Sequence, residues 1–225
     1  MKEIKTFYKN RLPHLAPIGA TFFVTFRLGD SLPQKLVAKL KLEMEMEAEI
    51  IRLEKEKPEN YEAAIIRQRK LFFKEYDYQL DVKPYGECYL KQPKVAQIVI
   101  DKIHEMDGEK YDLLAYCIMP NHVHLLFDFS VQIVDENGFY LTQTPEDYIQ
   151  LDKVMQLIKG NTAYHANQLL GRKGKFWQKD SYDHYVRSEK EFWNIVHYIL
   201  QNPVKAGLVK QWDSFPFTFL SDKYQ

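Results

Sequence analysis

His122 and His124 stand two residues apart in the stretch YCIMPNHVHLLF, Tyr116 to Phe127. On a β-strand alternate residues point to one face, so both imidazoles project together while Val123 points the other way. Two neutral imidazoles held at that spacing can chelate one divalent metal and leave positions for a third ligand, water and substrate. An H-x-H pair serves equally as two ordinary histidines on a sheet, so the rest of the chain has to decide. Tyr198 and Asn202 form a second pair, one turn apart on one face of a predicted helix. A third feature is charge. Across Lys153–Lys190 eight Lys and Arg stand against three acids, and Arg172, Lys173, Lys175 and Lys179 crowd the segment GRKGKFWQK. Basic residues interleaved with aromatics fit contact with a nucleic-acid backbone, or a merely solvated loop.

The elements that must position these residues are partly legible. Apolar runs at Tyr111–Met119 and Val123–Phe127, flanking Pro120-Asn121, predict two buried strands joined by a tight turn. Thr21–Leu28, almost continuous in β-branched and aromatic residues, predicts a central strand. Ser31 and Pro33 open a helix in which Leu36, Leu40, Met44 and Ile51 recur at helical spacing as far as Lys57. After Pro58 a second helix, Tyr61 to about Tyr78, carries Ile65, Phe72 and Tyr76. The two make an antiparallel hairpin, its charged face read as solvated.

Pro93–Met106 predicts another helix, ended by Gly108. Val131–Thr144, marked by Asn137-Gly138, is either a small hairpin or a disordered excursion. Thr144-Pro145 opens a helix to about Leu170, and Asp183–Arg187 reads as a short strand. Ser188 and Glu191 form a capping box for a helix over Glu189–Gln201, with Pro203 expected to end it. The aromatic run Phe215–Phe219 is expected to cover core, as are Tyr164, Tyr182 and Tyr185 unless they stack on bases. His184 and His197 read as structural histidines.

A chain of 225 residues, 45% apolar and 28% charged, supports one substantial core. We therefore expect a single domain over 1–225, with the helical hairpin at about 31–90 as an insertion. Net charge is zero and the pI about 7.1, so any affinity for nucleic acid must be local. Cys88 and Cys117 form no C-x-x-C pair and fit a reducing compartment. The N-terminal MKEIKTFYKN has no apolar signal core, and no run approaches the ~20 apolar residues of a membrane span. The expectation is a cytoplasmic protein with no membrane partner.

Three segments occur in order: MPNHVHLLF at 119–127, FWQKDSYDHYVR at 176–187 and YILQNPVKAGLV at 198–209. Together they resemble the REP-associated tyrosine transposases, single-tyrosine members of the HUH transposases, over about residues 18–220. The resemblance implies an α+β fold of the ferredoxin-like sandwich type with an antiparallel central sheet, and the predicted order of strands and helices is consistent with it. It implies His122, His124 and Asn202 as metal ligands, Gln201 being a weaker candidate than Asn202, and Tyr198 as catalytic nucleophile. The helical hairpin departs from compact family members.

The activity implied is cleavage and rejoining of single-stranded or hairpin DNA with Mg²⁺ or Mn²⁺. Tyr198 would form a 5′-phosphotyrosine and release a 3′-hydroxyl, conserving bond energy, so no ATP is needed; the chain contains no P-loop motif. Arg172, Lys173, Lys175, Lys179, Trp177 and Arg187 are the candidate DNA contacts, and the expected state is a monomer or homodimer. The alternatives are a domesticated hairpin-binding protein without transposition, and a metal-dependent phosphoesterase using water, which would leave Tyr198 without a role.

Overall fold

In the computed structural model residues 7–9, 13–53, 58–82 and 85–224 are described. Phe7–Lys9 (β1) and Pro13–Leu15 (β2) pair antiparallel near the start of the chain. The expected extended arm otherwise falls on 1–6 and 10–12, outside the described residues. TFFVTFR forms β3 (Thr21–Arg27), an interior strand of a five-stranded antiparallel sheet. Its neighbours are β5 (His122–Asp128) and β6 (Tyr182–Tyr185). β4 (Asp112–Ile118) lies beyond β5, and β7 (Thr218–Leu220) completes the edge, giving the order β6-β3-β5-β4-β7.

Alternation divides this sheet into two apolar faces. Phe22, Val24, Phe26, Val123, Leu125 and Phe127 point to one core, covered by α3 (Pro93–Glu105) and α4 (Leu151–Leu169). Phe23, Ala115, Cys117 and Leu126 point to the other, covered by α5 (Glu189–Lys205). A register shift between Leu113 and Ala115 puts Leu114 on the same side as Ala115, a β-bulge that breaks the alternation of β4. The order β-α-β-β-α-β of the central elements, with α3 and α4 on one face, is the expected ferredoxin-like α+β sandwich.

Between β3 and α3 lie α1 (Gln34–Leu53) and α2 (Pro58–Val82), the predicted hairpin. The side chains of Met44, Ile51 and Ile65 lie outside the described residues; Leu40 is buried and Leu36 half-buried. α2 does more than pack on its mate. Phe73 stacks on Tyr182 at 4.1 Å and meets Phe23 edge-on at 5.5 Å, so α2 lies beside α5 over the second face.

Several bounds move. α4 begins at Leu151, not Thr144, because Gln132 holds the preceding chain in a non-helical turn. Its side-chain oxygen accepts from the Ile149 N–H, and its nitrogen donates to the carbonyls of Lys110 and Ile149. Pro203 lies inside α5 and does not end it: the Ala206 N–H still bonds to Asn202, and the Leu208 N–H to Pro203 itself. The 131–144 segment forms the small hairpin, with Val134 bridged to Tyr140 around Gly138 at φ 81°.

Candidate active site

The first three residues of β5 carry His122 and His124 to the α5 face, opposite Arg27 and Thr25 of β3. Both imidazoles are fully buried. His122 Nδ1 lies 2.7 Å from Asn121 Oδ1, and the Asn121 amide nitrogen donates to the Leu80 carbonyl at 3.2 Å. That second bond fixes which way the amide points, so His122 carries its proton on Nδ1 and a lone pair on Nε2. His124 Nδ1 lies 2.8 Å from Thr25 Oγ1, and the Asn202 amide nitrogen stands 3.1 Å from His124 Nε2. With the Asn202 amide in this orientation the same tautomer follows for His124. The two Nε2 atoms are 3.0 Å apart.

Burial lowers the pKa of His122 to about 3. It lowers His124 as well, with His122 and Lys205 adding to the effect. Both rings are therefore neutral, which is the state a metal needs.

α2 brings two acids that the sequence reading did not single out. The Tyr198 hydroxyl donates to Asp77 Oδ2. Asp77 Oδ1 is 3.5 Å from His124 Nε2, and Asp81 Oδ1 is 3.8 Å from His122 Nε2. With neutral imidazoles these approaches are not ion pairs. Asp77 Oδ1, Asp81 Oδ1 and Asn202 Oδ1 are all buried and without a hydrogen-bond partner. A buried oxygen left in that state costs stability, and two of them, from Asp77 and Asp81, face the Nε2 lone pairs, an arrangement that a cation would relieve.

The spacing agrees. Neighbouring ligands on an octahedral ion with bonds of about 2.1 Å stand about 3.0 Å apart. Ligand atoms of Asp77, His122 and His124 all lie within 4.8 Å of one another, a buried group that could hold a metal ion. A mixed nitrogen and oxygen set suits Mg²⁺, Mn²⁺ or Zn²⁺ better than a soft ion. Asn202 would ligate through Oδ1, which exchanges places with its nitrogen by a half-turn of the amide.

The carboxylates are perturbed in the way this crowding requires. Burial raises Asp77 to about 6, against the Tyr198 hydrogen bond and Lys205. Burial and then the Asp77 charge raise Asp81 to about 7. Burial, followed by Asp77 and Asp81, pushes the Tyr198 phenol far above its ordinary value. Without a neighbouring cation this tyrosine is a poor nucleophile.

The structure thus brings His122, His124, Tyr198 and Asn202 together, while Gln201 is half-buried beside Asn202 with no contact to the histidines among the described residues. The expected DNA contacts divide. Lys173, Lys175 and Lys179 are exposed. Arg172 lies over the Tyr89 ring at 4.8 Å, and exposed Arg187 over Tyr185 at 4.3 Å. Trp177 is corrected: it is buried against Phe26, and its indole N–H donates to Thr162 at 2.9 Å, so it cannot stack on a base. His184 is bound to Glu191, and Tyr182 is buried against Phe73, structural roles for both.

Fold and site together define a class: an α+β protein whose antiparallel sheet holds a buried His-His-Asp group beside a helix-borne tyrosine. No family model matches the chain. It is 29% identical over 108 residues to a curated Haemophilus influenzae protein provisionally named a REP-associated tyrosine transposase. The match covers 48% of this chain and 58% of that one. This relative supports the resemblance carried by the three sequence motifs. A solved structure of a REP-associated tyrosine transposase bound to a REP hairpin aligns with 93% of this chain and 82% of its own. The identity there is 17% and the TM-score 0.46.

Proposed function

We propose that this protein is a metal-dependent transposase that cuts and rejoins single-stranded DNA near hairpins, with Tyr198 as nucleophile. The observation that carries this reading is the Tyr198 hydroxyl bound to the same carboxylate that faces the histidine pair. His122, His124 and Asn202 would hold a divalent cation, joined by Asp77. That ion supplies positive charge for the non-bridging oxygens of the scissile phosphate and favours the phenolate. α5 and α2 fix the phenol from two sides, so attack needs little reorganisation. Tyr198 and Asp81 are only half-buried, and the Lys205 ammonium stands 5.1 Å from the Tyr198 ring centroid. The phosphate would approach by this edge, since the histidines offer no surface of their own.

The Haemophilus relative is named a transposase, and the hairpin named with the solved structure identifies the kind of probe to use. The test is a labelled hairpin oligonucleotide with a single-stranded flank, incubated with protein and Mn²⁺ or Mg²⁺. Wild type should give a covalent protein–DNA species. His122→Ala and His124→Ala should each reduce cleavage by ~10²-fold or more while hairpin binding persists. Undiminished cleavage by either variant would sink the metal assignment. Tight hairpin binding with no cleavage by wild type would instead identify a hairpin-binding protein without transposition.

A further inference from the structure

We propose that Asp77, carried by the inserted helical hairpin, is a catalytic residue that takes the Tyr198 proton through Oδ2 while Oδ1 holds the cation. The proposal rests on the transposase reading and adds to it a residue, and with it an element, of the active site.

Three observations carry it. The first is the hydrogen bond in which the Tyr198 hydroxyl donates to Asp77 Oδ2, placing an acceptor on the atom that must lose a proton. The second is that Oδ1 of the same carboxylate is buried, lacks a hydrogen-bond partner and sits 3.5 Å from His124 Nε2. One carboxylate thus spans the nucleophile and the metal-binding nitrogens. The third is that α2 is fixed to the same face by contacts independent of Asp77. Leu80 sets the tautomer of His122 through Asn121, and Phe73 packs edge-on against Tyr198 at 6.1 Å. Asp81, one turn further, turns a second unpartnered oxygen toward His122. A hairpin that only decorated the fold would not set one buried and one half-buried carboxylate against two imidazoles, because each charge costs desolvation.

In the step proposed, the bond from Tyr198 Oη to phosphorus forms and the bond from phosphorus to O3′ breaks. The phenolic proton passes to Asp77 Oδ2, and the departing 3′-oxygen takes a proton from water. In strand transfer a 3′-hydroxyl gives its proton to water as its oxygen bonds to phosphorus, the bond from phosphorus to Tyr198 Oη breaks, and the proton on Asp77 returns to the tyrosine oxygen. The same residue is base in cleavage and acid in rejoining.

The experiment uses the full chain, Mn²⁺ and the labelled hairpin, with Asp77→Asn and Asp77→Ala. The amide is isosteric and still accepts from Tyr198, so folding is preserved, and a thermal melt checks it. Adduct formation by Asp77→Asn should fall by ~10²–10⁴-fold. Its Mn²⁺ affinity, measured by calorimetry without DNA, should fall at least about tenfold. Formate should restore part of the rate to Asp77→Ala, whereas chloride should not. A substrate with sulfur at the 3′ bridging position, which leaves without help, should react as poorly with Asp77→Asn as the ordinary one.

Recovery of Asp77→Asn with the sulfur substrate would overturn the proposal by moving Asp77 to the leaving group. Faster adduct formation would overturn it by making α2 a cover over the site. If wild type forms the adduct and Asp77→Asn forms it equally fast, this proposal alone fails. If wild type forms none, the transposase reading fails first.

Discussion

On the proposed reading, Tyr198 is the residue on which stability and chemistry meet. Its hydroxyl is the donor to Asp77, a carboxylate with 5% of its surface exposed, so the oxygen removed in Tyr198→Phe matters in two ways. The variant should form no covalent DNA species. It should also be less stable than wild type when metal-free, by ~1–3 kcal/mol, because both carboxylate oxygens are then left without a donor. Urea denaturation with chelator, and mass spectrometry of the DNA-linked peptide, check the two halves. A nucleotide found on Tyr182 or Tyr185 would refute the assignment of Tyr198. At this scale the spacings of His122 with His124 and of Tyr198 with Asn202 put each pair on one face, and the resemblance of the three motifs singled the pairs out. Asp77 and Asp81 were hidden in a helix rich in charge. The signal that could have found them is positional: Phe73, Asp77, Leu80 and Asp81 fall at i, i+4, i+7 and i+8, so two acids share the apolar stripe.

At the scale of elements, the question is what holds α2 over the sheet. Besides Phe73, one tie is Glu191 at the start of α5, which accepts from Lys70 of α2, from the Arg187 N–H and from His184 of β6. Burial opposes its ionisation, but the Lys70 bond, the Arg187 N–H and His184 outweigh it and hold the carboxyl at about 2. A depressed carboxylate stabilises the fold above its unfolded value near ~4.5, and that contribution is lost as pH falls through about 2. Glu191→Gln should therefore melt below wild type at pH 6, and the gap should close as the pH approaches 2. A gap that does not change with pH would mean that the tie contributes nothing through its charge. The hairpin itself was readable from Leu36, Leu40 and the break at Pro58. Its docking was not, since Lys70 and Glu191 lie 121 positions apart and no local pattern links them. The late start of α4 has the same kind of cause: Gln132, far from the proline that suggested a start, sets it.

Over the whole molecule, charge sums to zero, so on the proposed reading DNA would be met by an asymmetric surface. The loop bearing Lys173, Lys175 and Lys179 lies at the histidine end of the sheet. The Gln178 N–H donates to the Arg27 carbonyl at 2.8 Å, and Arg27 pairs with His122 across the strands. A strand whose scissile phosphate reaches Tyr198 can thus run along this loop without leaving that end of the protein. Of the three exposed lysines, Lys175 already donates through Nζ to Gln178 Oε1. Arg172 is partly engaged, with one nitrogen donating to the Lys175 carbonyl at 3.1 Å, and should contribute less. Replacing Lys173, Lys175 and Lys179 by Gln should weaken hairpin binding and flatten the plot of log K against log salt by up to about 2–3 units, close to one unit per lost phosphate contact. Adding Arg172→Gln should change the slope by less than one further lysine would. Fluorescence anisotropy across a salt series measures both. A slope left at the wild-type value would return the loop to a solvated role and require the DNA to approach Tyr198 from the Lys205 side.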